Sequence, residues 1–258
     1  MSVRWAKLLT RLTDLESAAR DGFQTVQLNA NDFVDLDENG FDKLRSTFGS
    51  TGLSAEVCSV PLPPEVRVTE KGFNIYAWTE HVKKGIRMAS ALGCRELVWS
   101  EGRARVLPWE GDISGLKEQL LQFLWILCDI CGQYGIRLLI EPLGPRRTNF
   151  LNSMEETSDF IRMVNKDNLA ALISLRELAE IKLDDAGIQR FSHLIAHVHL
   201  ENPQLTEGPR VGPLPEDGYD YRPFLRALRG VNYAGIITLP SDSTAASLAY
   251  FQKLWNEL

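Results

Sequence analysis

Cysteine is scarce. There are four in 258 residues; Cys58 and Cys94 stand alone, and only Cys128 and Cys131 fall close together. Such usage does not suggest a disulfide scaffold. The Cys-x-x-Cys spacing lies inside the amphipathic run LLQFLWILCDICGQYG, in surroundings unlike those of a redox motif, so two packed helical thiols are expected. Long apolar runs are lacking too. None approaches the roughly 20 residues that span a bilayer, and MSVRWAKLL lacks the long apolar stretch of a secretory signal. A cytoplasmic protein with no membrane partner is expected. There is also no excess of positive charge: 28 Lys and Arg against 34 Asp and Glu leave a net charge of −6, which argues against nucleic acid as a partner. No low-complexity linker or charge block divides the chain, so residues 1–258 are read as one domain.

What is present is a rhythm. Short runs rich in Val, Ile and Leu alternate with amphipathic stretches, and the joints carry Gly, Asn or Asp. The candidate strands cover 3–8, 25–29, 54–60, 96–100, 137–143, 170–175, 196–201 and 235–240. Candidate helices separate them, and a last one follows over 243–258. Several helices run into a glycine just before the next strand, at Gly22, Gly52, Gly93 and Gly135, the residue type that stops a helix in the left-handed conformation. Eight strand-helix units predict an α/β fold, a single (βα)8 TIM barrel. Its chemistry gathers at the C-terminal ends of the strands.

Polar residues at those ends are therefore the candidates. In LLIEPL, Glu141 ends a strand buried on both faces, where an uncompensated carboxylate costs several kcal/mol. His197 and His199 lie two apart on one face, with His199 nearer the mouth. Glu141 and His199 can meet across the barrel top, as divalent-metal ligands or as an acid/base pair. Arg103 and Arg105 in SEGRAR can clamp a polar ligand or stay solvated. Asn149 can reach a ligand or shape its loop; Asn152 is read as the cap of the helix beginning SMEE. Trp78 and Trp99 are read as core, while Trp109, beside Pro108, is a rim candidate.

GFQTVQL, SEGRAR, RLLIEPLGPRRTNFLNSMEETSDFIRMVN, IAHVHLENP and DYRPFLRALRGVNYAGIITL together resemble the sugar phosphate isomerase/epimerase family with the xylose isomerase-like TIM barrel, part of the AP endonuclease family 2 superfamily. The resemblance covers nearly the whole chain. It implies a divalent metal (manganese, magnesium, cobalt or zinc) held by Glu, Asp, His and Glu from strands five to eight. In such a site the metal acidifies a C–H beside a carbonyl so that a proton can shift. Position by position, Glu141 and His199 are retained. Ser174 stands where the Asp belongs, Pro240 where the second Glu belongs, Gln27 where an early Glu belongs, and Glu177 replaces a substrate-binding His.

One carboxylate and one imidazole retain little pull on a hard dication, so no tightly bound cofactor is expected and any metal is held weakly. Asp242 and Glu177 are the candidate substitutes. Glu141 is then expected to pair with a protonated His199 or an arginine such as Arg146. The resemblance implies catalysis by Glu141 and His199, and a small carbohydrate is expected in contact with Arg105, Asn149, Trp109, Glu177 and His197. Two functions stay open: a sugar or sugar phosphate isomerase/epimerase-like protein with a degraded or rebuilt metal site, or a non-catalytic sugar- or polyol-binding pseudoenzyme. The related endonuclease branch needs a richer ligand set for three zincs than a chain with four His provides. The sugar is not specified, and a homo-oligomer remains open.

Overall fold

The computed structural model describes residues 3–205, 211–214 and 216–258. Among them eight parallel strands close into a barrel in chain order, with β1 pairing back to β8. They are β1 (Arg4–Leu8), β2 (Thr25–Leu28), β3 (Ser54–Ser59), β4 (Glu96–Trp99), β5 (Arg137–Ile140), β6 (Leu169–Ser174), β7 (Ile195–His199) and β8 (Ile236–Leu239). The helices between and after them are α1 (Leu15–Arg20), α2 (Glu38–Thr51), α3 (Ile75–Ala91), α4 (Ile113–Gln133), α5 (Met154–Val164), α6 (Asp185–Phe191), α7 (Arg222–Gly230) and α8 (Ala245–Glu257).

The punctuation is local chemistry. Asp37, Asn74, Asp112, Asp184 and Thr244 each accept a backbone N–H in the first turn of the helix they precede. The cap of α5 is Ser153, which accepts from Glu156 N. Asn152, expected there, instead donates to the carbonyls of Leu143 and Thr148 and so shapes the loop. Gly22, Gly52, Gly93 and Gly135 all have positive φ, between 66° and 96°, where a side chain would be strained. Two strands stop sooner than their apolar runs suggest. β5 ends at Ile140 and β8 at Leu239, one or two residues before Pro142 and Pro240, which have no N–H to give to a ladder.

Two packing layers follow from side-chain alternation. Ala6, Val57, Val98, Leu139, Leu172 and Ile236 fill the barrel interior, while Val26, Leu138, Ile140, Ile173, Val198 and Leu239 pack outward among the helices. Two steps past the interior set toward the mouth come Ser59, Ser100, Glu141, Ser174 and Thr238. On β7 and just beyond it, His197, His199 and Glu201 hold the inward phase. All four cysteines are free and buried. Burial pushes the Cys128 thiol up to about 12, which suits packing and not redox chemistry. Cys58 and Cys94, isolated in sequence, meet through a thiol-thiol hydrogen bond that, with burial, raises Cys58 further.

Candidate active site

A cavity of about 240 Å³ opens at the C-terminal mouth. Its polar wall includes Gln27, Asn31, Ser100, Glu101, His199, Glu201 and Thr238, set against Leu8, Val60 and Val98. Among the described residues no lysine or arginine lines it, and two carboxylates do. Asn31 Oδ1 and Ser100 Oγ are buried in this wall without a hydrogen-bond partner among the described residues. Buried polar atoms are ordinarily satisfied, so such a pair points to a group that the cavity takes from outside.

His199 lies in the wall as expected, with Nε2 3.0 Å from Gln27 Oε1. Ser174 is fully buried and donates its hydroxyl to Glu201 Oε1. Glu201 was missed from sequence although its signal was available: it is two residues past His199 and shares the inward phase. It brings a carboxylate from just past β7 to the corner that Ser174 of β6 occupies. His197 is buried beneath the cavity, Nδ1 2.7 Å from Glu96 Oε2 and Nε2 3.0 Å from Thr238 Oγ1. It does not line the cavity.

Other candidates are placed elsewhere. Glu141 is fully buried and outside the cavity lining. Arg105, expected on the rim, is also fully buried, donating Nη2 to the Glu141 carbonyl and lying 5.9 Å over the Trp99 ring. Burial pulls its guanidinium down to about 10, against the opposing pull of Glu141, Glu156 and Glu101. Arg105 thus meets Glu141 at its backbone carbonyl, and the Glu141 charge acts on it as well. Arg146, the arginine expected in that role, pairs with Glu180. Asn149 bonds both backbone groups of Leu107, at 2.8 Å each, and staples the loops after β4 and β5 together. Trp109 is 93% exposed and absent from the cavity wall. Trp109→Ser should therefore shift stability by less than about 0.5 kcal/mol in a denaturant titration.

These residues do not fit a four-ligand divalent centre. Ser174 and Pro240 supply a hydroxyl and no side-chain donor in place of two carboxylates. The substitutes are committed: Glu177 accepts from Gly144 N at 2.9 Å and lies 3.8 Å from Arg147, and exposed Asp242 accepts from Gly212 N at 2.7 Å. Among the described residues no group of three His, Cys, Asp or Glu side chains is placed to hold a metal ion.

Comparison with known proteins gives the fold relatives. A D-psicose 3-epimerase from Agrobacterium fabrum (strain C58 / ATCC 33970) is 27% identical over 136 residues, 51% of this chain and 44% of that protein, so the match spans less than half of the relative. The crystal structure of a D-psicose 3-epimerase in the presence of D-fructose superposes with a TM-score of 0.82 at 13% identity, covering 98% of this chain and 99% of that one. An AP endonuclease, family 2, from Brucella melitensis superposes at 0.76 with 21% identity, covering 97% and 98%. At such identities the structural likeness shows the fold alone. The family model for the xylose isomerase-like TIM barrel matches residues 15–254, and the chain belongs to that family.

Proposed function

We propose that this chain takes a small neutral sugar or polyol at the C-terminal mouth, as an isomerase- or epimerase-like protein whose site is not a four-ligand metal centre. The observation that carries the reading is the pair of unpartnered buried atoms, Asn31 Oδ1 and Ser100 Oγ, in a cavity of about 240 Å³. An amide oxygen accepts and a hydroxyl both donates and accepts, which matches ligand hydroxyls. The volume falls below the roughly 300–1,000 Å³ of drug-sized sites and suits one monosaccharide.

Among the described residues His199, Glu101 and Glu201 are the groups in the wall able to hold or move a proton beside the ligand. A second reading, binding without turnover, is favoured by the joint departure at Ser174 and Pro240. Saturation-transfer NMR against D-fructose, D-psicose, D-tagatose and L-ribulose, run in D2O, separates the two. Binding with exchange of a ligand C–H for C–D beside the carbonyl supports the epimerase-like reading. Binding without exchange supports the second, and no binder at millimolar concentration overturns both.

A further inference from the structure

Three buried side chains form one hydrogen-bonded line through the barrel. Glu96, inward at the start of β4, also borders a cleft at the N-terminal face. Its Oε2 lies 2.7 Å from His197 Nδ1, and His197 Nε2 lies 3.0 Å from Thr238 Oγ1. Thr238 borders the C-terminal cavity at the other end and is the β8 neighbour of His199 in the parallel register. Exposure is 9%, 0% and 3% for Glu96, His197 and Thr238.

The order of groups dictates the direction of each bond. A carboxylate only accepts, so His197 Nδ1 carries the hydrogen facing Glu96. In the tautomer with its one hydrogen at Nδ1 the ring offers a lone pair at Nε2, and the only hydrogen Thr238 owns at its oxygen points to it. The Thr238 oxygen is left to the cavity as an acceptor. This is the logic by which a buried carboxylate selects an imidazole tautomer in a carboxylate-histidine-hydroxyl triad, here without a nucleophilic step.

We infer that Glu96 and His197 are positioning residues that fix Thr238 as a hydrogen-bond acceptor for a ligand hydroxyl, which makes Thr238 a specificity-determining residue of the mouth. The inference rests on the sugar reading above. Its consequence is a preference for a donor hydroxyl at that contact over a deoxy or O-methyl carbon.

The test has two arms. In the first, ¹⁵N-histidine NMR of the ligand-free protein, with four His to assign, should show His197 protonated at Nδ1 and bare at Nε2. Glu96→Gln, which removes the charge that selects this tautomer, should shift the His197 ring nitrogens. A protonated Nε2 in the wild type, or ring signals unmoved by Glu96→Gln, overturns the inference without touching the sugar reading. In the second arm, D-fructose affinity should fall about tenfold in Thr238→Val, the loss of one hydrogen bond, and be largely recovered in Thr238→Ser. Equal affinity of Thr238→Val and wild type overturns it. Absence of D-fructose binding by the wild type removes the sugar reading, and the ligand preference with it. If Glu96→Gln does not fold, the wild-type tautomer and the two Thr238 variants still decide.

Discussion

Replacing Arg105 with Met should cost about 3 kcal/mol of stability, far more than its position in an apparently solvated loop motif suggests. Arg105 is fully buried, its guanidinium donates to the Glu141 carbonyl, and Glu141 is the strongest of the carboxylates drawing on it. A buried arginine can often be exchanged for a hydrophobe of similar length without loss. Here the exchange leaves the buried Glu141 carbonyl without this donor and removes a cation on which the Glu141 charge acts. Glu141→Gln in the same chain should recover part of the loss, because the carboxylate that draws on Arg105 is then uncharged. Urea titration of the two single variants and the double variant measures the coupling. Additive losses would show that Arg105 acts through the Glu141 backbone carbonyl and not through its carboxylate.

Ser174→Asp should be the other severe substitution, at about 2 to 4 kcal/mol, even though the family pattern places an Asp there. The Ser174 hydroxyl donates to Glu201, and both residues are buried. An Asp sets one carboxylate against another with little water to screen them, so either the fold weakens or one group holds a proton. Adding Glu201→Ser should restore stability to near the wild-type level, since a single acid then occupies the corner from β6 instead of from the segment after β7. Thermal and urea unfolding of the cycle read the pair energy directly. If Ser174→Asp is tolerated alone, Glu201 does not occupy that corner in solution.

These two residues also show what a sequence can and cannot disclose. The barrel was legible because its signals are local: short apolar runs between amphipathic stretches, Gly, Asn or Asp at the joints, and glycines at 22, 52, 93 and 135 that adopt positive φ. The inward phase of β7 was equally legible, and continuing it two residues past His199 reaches Glu201. The partners were not. Arg105 turns in to Glu141 because the loops after β4 and β5 close on each other through Asn149 and Leu107, a contact spanning 42 residues. His197 finds Glu96 across 101 residues and Thr238 across 41. No spacing rule in the chain encodes either meeting, so sequence alone did not show that Arg105, Asn149 and His197 bond to other parts of the barrel.

The neutral-sugar reading of the mouth is tested most directly by diffraction from crystals equilibrated with D-fructose. Ligand density should fill the C-terminal cavity, with hydroxyls within hydrogen-bond distance of Asn31 Oδ1, Ser100 Oγ and Thr238 Oγ1. Density confined to the N-terminal cleft bordered by Arg4, Arg95 and Arg137, or a mouth left to solvent at a sugar concentration that saturates the protein in solution, would contradict it.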